Sequence, residues 1–232
     1  MIKINDVNNM TDIELESLYN GCMAFCDRIK NSALKDCCKA IYIDYKYKLI
    51  NKPATGRNNH HAYKGGLLHH TYSVTKLAVK IAEEYSDINV DLDLVIFGAL
   101  LHDIGKAVEF KDFADITPDG DVYMTNSARF LGHSFEGVSI VDSYLKDYEL
   151  DEEFKIQALH MIGSHMRGFS DWGTLVSPKM LEVIIINHAD STDAELENFR
   201  AGINNAKAGE IYSDNTGNGK LYKSLNPKHK AK

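Results

Sequence analysis

The hydrophobic and polar residues of the chain alternate mostly with the period of an α-helix. Thr11 and Glu14 form a capping box, and the apolar spacing that follows predicts a helix to about Lys30. The same spacing predicts further helices over residues 33–50, 67–85, 91–103, 134–147, 151–164 and 178–198. The run LVIFGALLH is apolar on nearly every side, which predicts a helix at the centre of the domain.

Two stretches interrupt this pattern. Residues 51–65 (NKPATGRNNHHAYKG) are rich in turn-forming and polar residues and predict a loop. Residues 107–125 contain VEF, a PDGD turn and VYMT, which predict a small β-hairpin. The sequence therefore predicts an all-α helical bundle with a small β-hairpin insertion near 107–125. We divide it into an N-terminal helical segment (1–50) that packs on the core, a main domain (51–200) and a polar, partly mobile C-terminal tail (201–232).

Composition and charge narrow the possible partners. Of the 232 residues, 44% are hydrophobic and 25% are charged, which is typical of a globular protein. The net charge of -7 argues against binding of duplex DNA or of an anionic membrane through an extended basic surface. Bound metal cations would still permit a small anionic substrate. The four cysteines are expected to be buried free thiols: Cys22, Cys26, Cys37 and Cys38.

The sequence carries no targeting signal that we can identify. Its N-terminus lacks the apolar core of a secretory signal, and no stretch approaches the ~18 apolar residues of a membrane span. We therefore expect a cytoplasmic protein.

Two aspartates lie in apolar surroundings. His102 and Asp103 end the most apolar helix, where a carboxylate is costly unless it meets a cation or strong hydrogen-bond donors. A buried His-Asp pair that satisfies its own hydrogen bonds is the alternative. Asp190 lies in a second apolar run, VIIINHADSTDAE, where a solvent-facing aspartate is the alternative. Neither residue predicts a metal site by itself.

The combination of histidines and aspartates indicates metal chemistry more strongly. The candidate ligands are His70, His102, Asp103, His133, His165 and Asp190. Imidazole and carboxylate suit manganese, iron, cobalt, nickel or zinc, and this set is large enough for two ions if one carboxylate bridges them. Two neighbouring ions stabilise a phosphoryl group and generate a hydroxide nucleophile. The set therefore predicts hydrolysis of a phosphoester.

The order of these residues and their local contexts resemble the HD-domain phosphohydrolase superfamily. The matching segments are GGLLHHT, GALLHDIGK, LGH and GSH. The paired histidines in HHAYKGGLLHHT make the chain most similar to the catalytic domain of YhaM-type 3′-5′ exoribonucleases. The resemblance covers roughly residues 58–200, and it implies an all-helical HD domain with the metal centre at its heart.

The resemblance also implies roles for single residues. Asp103 would bridge two ions and Lys106 would reach a substrate phosphate, which makes these two the candidate catalytic residues. The other ligands would form two groups: His70, His102 and Asp190 in one, and His133 and His165 in the other. If one ion binds, the minimal set is His70, His102, Asp103 and Asp190. We expect one or two divalent ions, with Mn²⁺ favoured and Fe, Co, Ni, Zn or Mg possible.

The chain departs from the family pattern at two points. YhaM-type enzymes carry an N-terminal OB-fold domain, whereas this sequence opens with helical patterns, so processive degradation of long RNA is not expected. Related sequences usually continue SHH after the metal histidine, whereas this chain has Met166 in place of the second histidine. A thioether neither donates a proton nor binds a hard metal ion.

Candidate substrate-binding residues surround the predicted centre. They are His61, Lys64, Lys106, Arg129, Arg167 and Trp172. A guanidinium matches phosphate oxygens and a tryptophan stacks on a nucleobase, although solvated surface charge and core packing are the alternatives. His69 is expected to support the centre or lie on the surface, and His160 and His188 to lie in the core.

These features favour a phosphodiesterase, similar to a 3′-5′ exonuclease, that cleaves short nucleic acid or an oligonucleotide or cyclic nucleotide. A nucleotidase or dNTP triphosphohydrolase is the first alternative, and a non-catalytic HD protein that sequesters nucleotides is the second. The expected partners are a nucleotide or short oligonucleotide and no extended duplex DNA or membrane. The apolar faces of the N-terminal helices leave a homo-oligomer possible.

Overall fold

The computed structural model describes residues 10–56, 59–113, 124–166 and 173–225. Its helices are α1 (Asp12–Cys26), α2 (Ser32–Asn51), α3 (Gly66–Glu84), α4 (Leu92–Leu101), α5 (Lys106–Glu109), α6 (Asn126–Leu145), α7 (Glu152–Gly163) and α8 (Leu181–Asn205). A 3-10 turn (Ser86–Ile88) follows α3, and the strands are β1 (Ile211–Ser213) and β2 (Lys220–Tyr222). The predicted all-α fold is confirmed. No helix in these ranges is long and apolar enough to span a membrane.

Helix α4 lies at the centre of the bundle. Every residue from Leu94 to Leu101 is buried, and α3, α7 and α8 all pack against this helix. A Cβ atom on Gly98 would lie 2.7 Å from the Ile186 side chain and 2.8 Å from that of Met161, so α4 approaches α7 and α8 closely. The C-terminal end of α4, which leads into His102 and Asp103, is therefore held in the interior.

The N-terminal helices pack against this core. The Thr11 hydroxyl accepts a hydrogen bond from the Glu14 amide at 3.2 Å, and the Glu14 carboxylate accepts one from the Thr11 amide at 2.9 Å, so the predicted capping box is present. Tyr42 of α2 is buried and its hydroxyl donates to the Leu100 carbonyl at 3.0 Å. The four cysteines are buried and free, as predicted.

The segment after α4 differs from the predicted hairpin. Residues Lys106–Glu109 form one helical turn rather than a strand, because Val108 and Glu109 donate their amides back to Gly105. A single antiparallel bridge joins Phe110 to Met124. The turn of the predicted hairpin, residues 114–123, lies outside the described residues.

Helix boundaries also differ near the C-terminus. Helix α8 begins at Leu181, three residues after the predicted start, and continues to Asn205. Strands β1 and β2 pair in antiparallel register and β1 packs on α8, where a Cβ atom on Gly202 would lie 2.0 Å from the Ser213 carbonyl oxygen. We did not predict this pair, because three-residue strands in a polar segment carry no recognisable alternation.

Candidate metal centre

The predicted ligand residues converge on the carboxylate of Asp103, just after α4. Its Oδ2 atom lies 3.4 Å from Nε2 of His70 and 3.4 Å from Nε2 of His102. Its Oδ1 atom lies 3.7 Å from Nε2 of His133 and 3.6 Å from Nε2 of His165. Each carboxylate oxygen therefore faces a different pair of imidazoles.

The donors on the Oδ2 side are spaced as ligands of one cation would be. The Nε2 atoms of His70 and His102 are 3.3 Å apart, and Asp190 Oδ1 lies 3.1 Å from His70 Nε2. A cation about 2.1 Å from each ligand separates neighbouring ligands by about 3.0 to 3.4 Å at octahedral or tetrahedral angles. These donor separations fit a divalent ion among His70, His102, Asp103 and Asp190.

The donors on the Oδ1 side are buried but lack hydrogen bonds. Asp103 Oδ1, His133 Nε2 and His165 Nε2 have no hydrogen-bond partner among the described residues. Burial of an unsatisfied polar atom is costly, and all three atom types are good metal donors. Burial and the charge of Lys106 lower the pKa of His133 to about 3, so its ring is neutral at pH 7. These atoms fit a second cation.

The remote ring nitrogens of two candidate ligands are fixed by backbone carbonyls. His102 Nδ1 donates to the Ala99 carbonyl at 2.8 Å, and His165 Nδ1 donates to the Ile162 carbonyl at 2.7 Å. In a neutral ring with the proton on Nδ1, the lone pair lies on Nε2. Both histidines are therefore held in the tautomer that binds a cation on the Asp103 side.

Two glycines place His133 beside Asp103. A Cβ atom on Gly105, in the HDIGK segment, would lie 1.9 Å from the His133 carbonyl oxygen and 2.7 Å from the Gly137 amide nitrogen. Gly132 has φ 74° and ψ 157°, a conformation that side chains disfavour, and it breaks α6 immediately before His133. The glycines allow the second part of α6 to begin against the turn that carries Asp103.

Lys106 lies beside the same carboxylate. Its Nζ atom is 2.7 Å from Asp103 Oδ2, and its side chain is 12% exposed. Burial opposes ionisation of Asp103, but the charge of Lys106 and the contact with His102 outweigh it and hold the pKa of Asp103 well below its usual value. Burial likewise opposes the charge of Lys106, yet Asp103 and Asp190 raise its pKa above the ordinary value. Both groups are charged, and the lysine stays within reach of any anion at the centre.

Asp193 also lies at the centre, although we did not predict it as a site residue. It is 7% exposed, and its Oδ2 atom lies 2.8 Å from both His61 Nε2 and His70 Nδ1. The available signal was its position three residues after Asp190 on α8, which places both carboxylates on the same helix face.

The structure corrects the predicted place of His61. This residue is 2% exposed, and its ring nitrogens contact Asp193 and the Tyr63 hydroxyl, the latter at 2.6 Å, so its side chain is not open to a substrate. Its neighbour His60 is half-buried, and the His60 ring centroid lies 5.2 Å from that of His70. Of these two adjacent histidines, His60 is the partly accessible one.

The remaining substrate-binding candidates occupy varied positions. Lys64 is exposed and lies 3.7 Å from Asp12 of α1, so its observed contact is with the N-terminal helices. Arg129 is exposed on α6, four residues before His133. Arg167 and Trp172 lie outside the described residues.

Three further histidines were assigned supporting or core positions. His69 Nδ1 lies 2.7 Å from the Tyr63 hydroxyl, which is a supporting position. His160 is half-buried, and its Nε2 accepts a hydrogen bond from the Lys179 amide at 3.0 Å. His188 is exposed, so the prediction of a core position was wrong; α8 turns this residue away from its buried face.

Comparison with curated proteins identifies relatives of the chain. It is 27% identical to the 3′-5′ exoribonuclease YhaM of Bacillus licheniformis over 90% of its own length and 63% of that protein. It is 28% identical to YhaM of Listeria monocytogenes over 86% of its length and 60% of that protein. The chain thus spans about three fifths of the length of these relatives. No solved structure gave a significant match.

Residues 61–195 match the HD domain family, and this segment contains all the candidate ligands as well as Asp193. The match confirms the resemblance inferred from the GALLHDIGK and GGLLHHT segments. Because this match spans more than half of the chain, the protein belongs to the HD domain family.

Proposed function

We propose that the protein is a metal-dependent phosphodiesterase that shortens RNA oligonucleotides from the 3′ end. The observation that carries this proposal is the position of Asp103, whose two carboxylate oxygens face two separate pairs of imidazoles. The YhaM relatives, which are named 3′-5′ exoribonucleases, support the choice of RNA and of direction.

The candidate ligands, Lys106 and His60 would have different roles in hydrolysis. Divalent ions held by the six ligands would polarise the phosphate and supply an activated water. Lys106 is charged beside Asp103 and would contact a non-bridging phosphate oxygen. His60, half-buried beside His70, would donate a ring N–H to the same phosphate group. Manganese is the ion we favour, since imidazole and carboxylate together suit it.

Exposed aromatic side chains close to His133 in the sequence favour a substrate that carries a nucleobase. Phe130 is 86% exposed and Phe135 is 46% exposed, and the two flank His133 in the sequence of α6. Large exposed apolar side chains are unfavourable in water, and aromatic rings bind bases by stacking. We therefore propose that the base next to the scissile phosphate stacks on Phe130.

The proposed activity is tested with Mn²⁺-loaded protein and short RNA. Substrates labelled at the 5′ end should give a ladder of shortened products, and substrates labelled at the 3′ end should give labelled mononucleotide from the first turnover. EDTA should stop the reaction and excess Mn²⁺ should restore it, because the phosphate is activated by bound cations. A 3′-phosphorylated RNA of the same sequence is the matched control and should react more slowly.

Other outcomes of this assay would contradict the proposal. Cyclic dinucleotides, DNA oligonucleotides, dNTPs and nucleoside monophosphates are incubated in parallel. Consumption of dNTPs or monophosphates alone would assign the protein to the nucleotidases or triphosphohydrolases. Binding of nucleotide without any turnover would assign it to the sequestering proteins.

The stacking surface gives a separate prediction. Replacing Phe130 with alanine should raise KM for RNA roughly 5- to 150-fold, since stacking on an aromatic ring contributes about 1–3 kcal/mol per base. Hydrolysis of bis(p-nitrophenyl) phosphate should change little, because that substrate carries no nucleobase. The matched control is Tyr85→Ala, which removes a 54% exposed ring at the end of α3. An unchanged KM for RNA in the Phe130 variant would remove the surface from the substrate site.

A further inference from the structure

A chain of hydrogen bonds leads from the surface of α3 to the candidate ligand His70. His69 Nδ1 lies 2.7 Å from the Tyr63 hydroxyl, and that hydroxyl lies 2.6 Å from His61 Nδ1. His61 Nε2 lies 2.8 Å from Asp193 Oδ2, which also lies 2.8 Å from His70 Nδ1. All four distances are those of hydrogen bonds rather than of packing contacts.

The Asp193 carboxylate sets the direction of the two hydrogen bonds that it accepts. Asp193 Oδ2 lies 2.8 Å from one ring nitrogen of each of two buried histidines, and an ionised carboxylate only accepts hydrogen bonds. His61 Nε2 and His70 Nδ1 must therefore donate to it. In neutral His61 the other nitrogen then accepts from the Tyr63 hydroxyl, whose oxygen accepts from His69 Nδ1. With His61 in this form, each of the four side chains has a hydrogen-bond partner.

A His70 ring that donates from Nδ1 and carries no second proton has its lone pair on Nε2. That atom lies 3.1 to 3.4 Å from Asp190 Oδ1, His102 Nε2 and Asp103 Oδ2. A carboxylate that accepts the remote N–H of a metal-binding histidine orients the ring and raises its basicity. Asp193 accepts the remote N–H of His70 in this way. The backbone carbonyls of Ala99 and Ile162 accept the corresponding N–H groups of His102 and His165.

The three residues His61, His70 and Asp193 also have a spacing that would suit a cation of their own. A cation there would take the Nδ1 lone pair of His70 and move its proton to Nε2, which would then point into the main cluster. His70 would be lost as a ligand beside Asp103 and Asp190. The hydrogen-bonded arrangement keeps both sets of contacts and needs no third ion.

We propose that Asp193 is a positioning residue that, with His61 and Tyr63, holds His70 in the tautomer required for metal binding beside Asp103. This proposal rests on the proposed function, because it assumes that His70 binds a metal ion. It adds that the Asp193 carboxylate orients the His70 ring. It assigns no contact between Asp193 and the substrate.

The first test measures metal affinity rather than activity. Asp193→Asn removes the charge while preserving the volume, and Mn²⁺ affinity measured by titration calorimetry should fall about 10- to 100-fold. The matched control is Glu197→Gln, one turn later on α8, where the carboxylate pairs with Arg200 and has no contact with His70. Its affinity should equal that of the unmodified protein.

A second variant tests the same proposal in case Asp193→Asn does not fold. Tyr63→Phe keeps the ring in place and removes only the hydroxyl that fixes His61, so Mn²⁺ affinity should fall by a smaller factor than in Asp193→Asn. Circular dichroism and thermal unfolding of the metal-free variants establish that each is folded. A folded Asp193→Asn that binds Mn²⁺ as tightly as the unmodified protein would overturn the proposal.

The tautomers are read directly by nuclear magnetic resonance of the zinc-loaded, ¹⁵N-histidine-labelled protein. His61 should be neutral with its proton on Nε2, and Asp193→Asn should abolish that pure tautomer. Zinc bonded to His61 would instead establish the three-residue metal site and contradict the proposal.

Failure of the unmodified protein to bind any divalent ion would reject the metal centre itself, whereas binding without RNA hydrolysis would reject only the proposed activity.

Discussion

Asparagine in place of Asp103 is expected to reduce hydrolysis at least about 10²- to 10³-fold, the loss typical of removing one electrostatic stabiliser from an active site. The physical reason is that both carboxylate oxygens are used, one facing His70 and His102 and the other facing His133 and His165. An amide presents one oxygen and one N–H₂ group to these imidazoles. It therefore donates on one side, where a cation needs an acceptor, and carries no charge on either.

Metal content and thermal stability measure this effect without a substrate. At an Mn²⁺ concentration of about 100 times Kd, binding should stabilise the unmodified protein by about 2.7 kcal/mol, because the ion binds only the folded state. The Asp103 variant should lose most of this gain and retain less metal after gel filtration. Asp87→Asn, at an exposed carboxylate in the 3-10 turn after α3, is the matched control. Full metal content in the Asp103 variant would remove that residue from the centre.

Replacing Gly105 with alanine should both destabilise the protein and impair its metal centre. The added Cβ atom would lie 1.9 Å from the His133 carbonyl oxygen and 2.7 Å from the Gly137 nitrogen, and backbone atoms cannot rotate away as a flexible side chain can. Overpacking of this kind costs about 1–3 kcal/mol. Relief of the clash would move His133 away from Asp103, so Mn²⁺ affinity should fall together with stability.

Gly56→Ala is the matched control for this substitution. A Cβ atom there meets nothing within 4 Å, and Gly56 is not among the glycines with positive φ. Its stability should stay within about 0.5 kcal/mol of the unmodified protein, as for most surface substitutions. Chemical denaturation of the metal-free proteins separates the two effects. A Gly105 variant as stable and as tightly metal-bound as the control would show that α6 shifts without cost.

Much of the fold could be predicted because the apolar pattern reports burial directly. Residues 94–101 lack a polar face, and they form the buried core of α4. The pattern placed His102 and Asp103 at the end of that helix, where they lie in the interior at 0% and 2% exposure. The predicted ligands come from segments far apart in the sequence, and only the family order indicated that they would meet.

What the sequence could not predict depends on loop geometry and on helix phase. His60 and His61 are adjacent in a polar loop, and the left-handed conformation of His61 (φ 51°) decides which ring is buried. Asp193 resembles any polar residue on the exposed side of a helix until α8 is docked and its phase is known. The hairpin of β1 and β2 is stabilised by contacts with α8 rather than by its own alternation.

The convergence of distant segments on Asp103 has a consequence for the chain as a polymer. The candidate ligands extend from His70 to Asp190 in the sequence. They come from five parts of the fold that meet at Asp103: α3, the turn after α4, α6, the end of α7, and α8. A cation bound there acts as a non-covalent cross-link that closes several long loops at once, and the entropy of closing a loop grows only slowly with its length. Metal binding would therefore add to the stability of the whole folded domain rather than to one helix alone.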